Sequence, residues 1–137
     1  MVKLPEEAKS LLETAAKNSQ VTVATSSKDC TPNAVPVEWA KLYDDEHILV
    51  ADNFFQKTRR NIDENPKVSI TFWSSKPKDG YQVKGTSRIF TSGKEYEEAV
   101  NWVKSQYPKL KTKAALLVKV EEIYSVKPGS DAGKKLA

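Results

Sequence analysis

The sequence has only one cysteine and one histidine among its 137 residues, and no apolar run long enough for a membrane span. Cys30 has no partner for an intramolecular disulfide, which favours a reducing compartment. A bilayer-spanning helix needs about 20 consecutive apolar residues. Residues 1–7 also lack the apolar segment of a signal peptide. We therefore expect a cytoplasmic protein with no membrane association.

Signatures of metal and nucleotide sites are also missing. His47 has no second histidine at ligand spacing, and the acidic turn at 44–46 has no companion His, Cys or Asp-Gly loop. Neither Gly-x-Gly-x-x-Gly nor Gly-x-x-x-x-Gly-Lys-Ser/Thr occurs, so Rossmann and P-loop phosphate cradles are excluded. Nothing in the sequence supports a nucleophilic pair of Cys30 and His47. We expect no metal site and assign no catalytic residue.

The patterns that are present describe one domain of mixed structure. Apolar residues make up 39% of the chain and charged residues 29%, as in a globular protein. Helices are predicted at 5–18 and from a Ser92/Glu95 capping box to Tyr107. Strand patterns follow each other with short turns, which favours a small antiparallel barrel over a parallel sheet. The strands are predicted at about 21–25, 33–43, 47–52, 68–73, 81–90 and 114–126.

Two of these strands contain a residue that disturbs regular pairing. Pro36 cannot donate a ladder hydrogen bond, so its strand lies at an edge, is bulged, or is open to a ligand there. Gly85 inside the strand at 81–90 indicates a bulge or a close approach of another backbone.

A short helix between two strands occupies the middle of the chain. Asp52 and Asn53 suit a helix N-cap, and Gln56 completes an approximate capping box. Asn65 and Pro66 end the helix, because proline cannot continue it. We therefore expect a helix of fewer than three turns that starts within residues 54–59.

The charges of this helix run against its macrodipole. Acidic residues are favoured at a helix start and basic residues at its end, by roughly 0.3–1 kcal/mol each. Here Lys57, Arg59 and Arg60 lie at the start, and Asp63 and Glu64 lie near the end. A bound phosphate at the helix start would compensate. The alternative is that these are solvated residues on an exposed turn.

The order of short motifs in this region resembles the flavin-binding core of the pyridoxamine 5'-phosphate oxidase-like FMN-binding split-barrel family. The resemblance is strongest over residues 48–73 and extends more weakly over 21–90. It implies an α+β fold, a six-stranded antiparallel split β-barrel, in a single domain at 1–127. The remaining residues, 128–137, are predicted to form a mobile tail. The motifs are Asp-Asn at 52–53, Gln-Lys-Thr at 56–58, Asn-Ile at 61–62, Glu-Asn-Pro-Lys-Val-Ser-Ile at 64–70 and Val-Lys-Gly-Thr at 83–86.

The resemblance also implies a cofactor, an assembly and a set of site residues. It implies a homodimer with FMN at the interface, and electron or hydride transfer through the flavin. It implies that Lys57 and Thr58 bind the phosphate of FMN. The other implied cofactor-binding positions are Ala34, Val35, Pro36, Val37, Ala51, Asp52, Asn53, Gln56, Asn61 and Trp73. The substrate-binding C-terminal Arg/His pattern of authentic pyridoxamine phosphate oxidases is missing, so the chain is nearer to the short FMN-binding proteins. No redox partner or substrate is assigned.

Two other classes of function remain open at this point. The net charge of +4 and the basic clusters at 57–60 and 104–113 suit a small barrel that binds single-stranded nucleic acid. The excess charge is small, and no ribonucleoprotein-type aromatic motif is present, so this alternative ranks second. The third alternative is a dimeric interaction module with no catalytic activity.

Overall fold

Three helices and seven strands make up the fold of the computed structural model, which describes all 137 residues. Every pair of neighbouring strands is antiparallel, and the order across the single sheet is β2-β1-β5-β6-β7-β4-β3. The helices are α1 (Glu6–Lys17), α2 (Lys57–Glu64) and α3 (Gly93–Gln106). The strands are β1 (Val21–Ser26), β2 (Pro32–Pro36), β3 (Ala40–Asp44), β4 (His47–Asp52), β5 (Lys67–Ser75), β6 (Lys78–Phe90) and β7 (Ala114–Ser125).

One main core is shared by strands from nearly the whole width of the sheet. Buried side chains of β1, β3, β4, β5, β6 and β7 pack into the same cluster, together with one face of α1. Strands that are distant in the sheet order can share a core only if the sheet wraps around it. The edge strands β2 and β3 do not pair with each other, so the barrel is open. The predicted α+β fold with an antiparallel split barrel is confirmed.

The barrel has seven strands and not six, because the strand predicted at 33–43 is two strands. Pro36 ends β2 at one edge of the sheet, and the chain then crosses to β3 at the other edge. On the way, the Val37 N–H donates to Val21 O of β1, and Trp39 O accepts from Ala51 N of β4. The crossing segment therefore bridges the two sides of the split. Of the three alternatives for Pro36, the edge position is observed.

Gly85 lies where the backbone of β7 approaches β6 closely. The pairing register shifts between Lys84 and Gly85, as at a bulge. A Cβ atom on Gly85 would lie 2.0 Å from Lys119 O. This distance is too short for any residue with a side chain. Both expectations for this glycine are confirmed.

The long helices lie where the sequence predicts them, but the predicted capping boxes do not form. Ser92 is the N-cap residue of α3 and makes no side-chain cap hydrogen bond. The N-cap of α2 is Gln56 rather than Asn53, so this helix starts at Lys57. The Asp52 carboxylate accepts a hydrogen bond from Phe55 N instead, at 3.0 Å, which turns the chain before the helix begins.

The end of the chain runs back along β7. Leu136 N donates to Ile123 O at 2.7 Å, and Ser125 N donates to Lys134 O at 2.9 Å. The tail that we expected at 128–137 is thus docked at its last residues, while the domain limits 1–127 stay a prediction. None of the three helices has the length and apolar content that crossing a membrane would require.

Candidate functional site

A cavity of about 560 Å³ opens where the β2–β3 crossing meets the end of β4 and the start of α2. We call it the helix-start cavity. Its wall combines polar groups from the start of α2 with apolar groups from the crossing and from the loop before the helix. Its lining residues are Val35, Pro36, Val37, Glu38, Trp39, Ala51, Asn53, Phe54, Phe55, Gln56, Lys57 and Thr58.

The start of α2 presents hydrogen-bond donors to this cavity. The first backbone hydrogen bond of the helix runs from Arg60 N to Gln56 O at 3.0 Å. The N–H groups of the three preceding residues therefore have no acceptor within the helix, and the N-cap side chain does not cap them. The exposed Lys57 ammonium has no ion-pair or hydrogen-bond partner in the chain. No carboxylate of the chain pairs with Lys57 or accepts from these N–H groups, although the exposed Glu38 lines the same cavity.

A buried polar network fixes the Thr58 side chain at the cavity wall. Asn33 Nδ2 donates to Thr58 Oγ1 at 3.0 Å and to Thr25 Oγ1 at 3.2 Å. Asn61 Nδ2 also donates to Thr25 Oγ1, at 3.0 Å. Because Thr58 Oγ1 is the acceptor in this network, its own hydrogen is available to a ligand. The network joins α2 to β1 and β2.

The sequence reasoning missed Asn33 and Thr25, although one signal for Thr25 was present. The residues of β1 alternate between buried and half-buried, and Thr25 takes the inward position that Val21 and Val23 also take. A threonine at an inward position of a strand requires a hydrogen-bond partner. No comparable signal for Asn33 is visible in the sequence.

A second network holds the loop at 53–56. The fully buried Asp52 carboxylate accepts from Phe55 N and, at 3.3 Å, from Arg59 Nη1. Lys113 Nζ donates to Phe55 O at 2.7 Å. The buried Asn53 Oδ1 accepts from Thr112 Oγ1 at 2.8 Å. This loop, which forms one rim of the cavity, is therefore fixed on both sides of Phe54.

The structure brings most of the predicted site residues together. The predicted positions in the cavity wall are Val35, Pro36, Val37, Ala51, Asn53, Gln56, Lys57 and Thr58. Asp52 and Asn61 lie behind the wall in the two networks. Ala34 is an exposed residue of β2, and Trp73 of β5 pairs with Gly80 of β6. Neither residue lines the cavity. The wall also contains Glu38, Trp39, Phe54 and Phe55, which the sequence reasoning did not propose.

A larger cavity of about 720 Å³ lies between α1 and α3, above β3. We call it the helix groove. The aromatic rings of Trp39, Trp102 and Tyr107 pack edge to face in its wall. Its basic groups are neutralised within the chain: Lys9 pairs with Glu6 and Asp45, Lys17 with Glu13, and Lys41 with Glu98.

His47 lies at the opposite end of β4 from the helix-start cavity. Its Nδ1 atom is 2.8 Å from the Asp44 carboxylate. Partial burial of Asp44 raises its pKa, but the hydrogen bonds from Glu46 N–H and from His47 outweigh this and hold the pKa below its usual value. His47 and Asp44 therefore stabilise the β3–β4 turn.

The antiparallel split barrel, with its cavity at the start of α2, defines the fold class of the protein. Residues 4–127 match the family described as pyridoxamine 5'-phosphate oxidase. The chain belongs to this family.

Individual relatives support the assignment to the family. An uncharacterized protein of Methanocaldococcus jannaschii is 42% identical over 139 residues, which cover 100% of this chain and 90% of the relative. HupZ of Group A Streptococcus has a TM-score of 0.80 at 31% identity, covering 95% of this chain and 99% of HupZ. An FMN-binding protein from Syntrophomonas wolfei has a TM-score of 0.78 at 21% identity, covering 88% of this chain and 84% of that protein. At that identity, the likeness shows the fold alone.

Proposed function

We propose that the helix-start cavity binds FMN and that the protein is a flavoprotein that transfers electrons or hydride. The observation that carries the proposal is the set of unpaired donors at the start of α2. A phosphate would accept from the backbone N–H groups of residues 57–59, from Lys57 and from Thr58. No negative group of the chain takes that place.

The residues around the cavity fit a flavin phosphate. Thr58 is buried, and Asn33 orients its hydroxyl so that the hydrogen is available. Apart from Glu38 and Asn53, the remaining wall is apolar, with Val35, Pro36 and Trp39 on the side of the crossing. A ligand with an anionic end and a flat apolar body suits such a wall. The family membership and the FMN-binding protein of the same fold support this assignment.

The chain's contribution would be binding and positioning. FMN supplies the electron or hydride transfer when it is bound. Lys57 and Thr58 would hold its phosphate, and the backbone of the β2–β3 crossing would contact the rest. No side chain in the wall is required as a general acid or base. We further propose that a second copy of the chain completes each cavity in a homodimer.

Heme is the alternative cofactor, because Vibrio cholerae HutZ, a heme storage protein, has the same fold at a TM-score of 0.62 and 12% identity. Heme iron is held by an axial ligand such as His, Cys, Met or Tyr. The wall of the helix-start cavity contains none of these four residue types. His47 lies at the far end of β4, where its ring is hydrogen-bonded to Asp44. The residues of the cavity therefore favour FMN.

The first test is the visible absorbance spectrum of the purified protein, followed by titration with FMN, riboflavin and heme. We expect stoichiometric binding of FMN and much weaker binding of riboflavin, which lacks the phosphate. The released chromophore is identified by mass, and sedimentation of the loaded protein gives the number of chains. Equal affinity for FMN and riboflavin would refute the phosphate assignment, and a heme spectrum without FMN binding would refute the proposed cofactor.

A further inference from the structure

Phe54, in the wall of the helix-start cavity, is the most solvent-exposed aromatic residue of the protein. It is 78% exposed, whereas its neighbour Phe55 packs against the main core. Trp39, across the same cavity, is half-buried. Burying a phenylalanine is strongly favourable, so exposure of Phe54 brings the isolated fold no stability.

The exposure of Phe54 does not result from a loose loop. The residue before it is anchored through Asn53 Oδ1 to Thr112, and the residue after it is held at both backbone groups. Phe55 N donates to the Asp52 carboxylate, and Phe55 O accepts from Lys113. The chain thus holds Phe54 at the rim by contacts with the end of β4 and with the segment just before β7.

Phe54 lies in the same cavity wall as the hydrogen-bond donors at the start of α2. It is three residues before Lys57 and lies in the wall of the same cavity, which Gln56, Lys57 and Thr58 make polar and cationic. A ligand held at its anionic end by these residues meets an exposed aromatic ring at the rim. Planar rings bind aromatic side chains by stacking or edge contacts, largely without regard to their substituents.

We infer that Phe54 is the ring-contacting residue of the site, and that it selects phosphate esters with a planar ring over inorganic phosphate and sugar phosphates. The inference rests on the proposed function for the phosphate end of the cavity. It adds a specificity determinant that the charges of α2 cannot supply, because they contact only the phosphate.

The test compares FMN and inorganic phosphate, each by calorimetry, in the wild type, Phe54→Ala and Phe54→Tyr. We expect Phe54→Ala to weaken FMN binding about tenfold, since removing an aromatic contact from a planar ring has an effect of this order. Phe54→Tyr should bind FMN within roughly twofold of the wild type, because the ring remains. Affinity for inorganic phosphate should be the same in all three proteins. The control is Leu136→Ala, which removes another exposed apolar side chain, from the tail.

The outcomes separate the inference from the proposed function. No FMN binding by the wild type would refute the proposed function, whatever Phe54 does. If Phe54→Ala binds FMN as tightly as the wild type, the inference is overturned but the proposed function is not. Loss of phosphate affinity in Phe54→Ala would also overturn it, because the substitution would then act by distorting α2. Dissociation of a dimer with unchanged FMN affinity would assign Phe54 to a contact between chains instead.

Discussion

The two large cavities of the protein share Glu38 and Trp39 but differ in how their charges are satisfied. In the helix groove, every basic group has an acidic partner in the chain, as in the pair of Lys41 and Glu98 at 3.6 Å. In the helix-start cavity, Lys57 has no partner, and the backbone donors of α2 are uncapped.

Cavity size and binding chemistry therefore point to different places. The helix groove is the larger of the two, yet its electrostatics are complete without a ligand. The helix-start cavity is smaller, and its unpaired donors make the fold less stable than a capped helix would be. Features that break a local rule in this way are expected where a protein binds something. We therefore propose the smaller cavity as the functional site.

The largest expected effect follows from removing the phosphate contacts. Lys57→Met together with Thr58→Val keeps the side-chain volumes but removes the charge and the hydroxyl. Each interaction with a charged group contributes about 1.5–3 kcal/mol. FMN affinity should therefore fall by at least about a hundredfold. The measurement is titration with FMN followed by flavin fluorescence. Lys41→Met, in the helix groove, is the matched control and should leave the affinity unchanged. A change below about threefold in the double variant would contradict the assignment of the site.

The next effect concerns the two carboxylates that pair with Arg59, beside the helix-start cavity. Asp52 is fully buried, while Asp63, the other carboxylate near Arg59, is 61% exposed. Asp52→Asn should lower the free energy of unfolding by about 3 kcal/mol, because it removes one partner of a buried pair and weakens the bond to Phe55 N. Asp63→Asn should change it by less than about 1 kcal/mol. Urea denaturation measures both variants, and equal losses would show that burial of Asp52 is not what stabilises the loop.

The smallest expected effect concerns Asp45, which pairs with Lys9 at the edge of the helix groove. The hydrogen bond from Lys9 holds the pKa of Asp45 below its usual value, with Lys3 adding to the effect, while burial and Asp44 oppose it. A lowered folded-state pKa contributes stability above the unfolded pKa of about 3.9, and this is lost as the pH falls through the folded value. Asp45→Asn should therefore lower the melting temperature slightly at neutral pH. The difference from the wild type should vanish in acid, and a difference that persists there would rule out the ion pair as its cause.

Much of the fold follows from local patterns in the chain. The alternation of Val21 and Val23, and of Val68, Ile70 and Phe72, predicts strands because a period of two places alternate side chains on one face. The first helix is predicted within one residue at each end by its apolar stripe. The division of residues 33–43 into two strands was not predictable. It depends on backbone partners in β1 and β4, which lie far away along the sequence.

For the candidate site, the sequence alone predicts a phosphate at the start of α2, because charges that oppose a helix dipole are visible in a short stretch of residues. The family resemblance adds Lys57 and Thr58 as the residues that would hold it. Their partners Asn33 and Thr25, and the opposing wall at Trp39, could not be found this way. These residues meet only because antiparallel pairing brings β1 and β2 beside α2 and the crossing closes the split. Local sequence specifies propensity and charge, whereas the register of distant strands fixes which side chains surround a cavity.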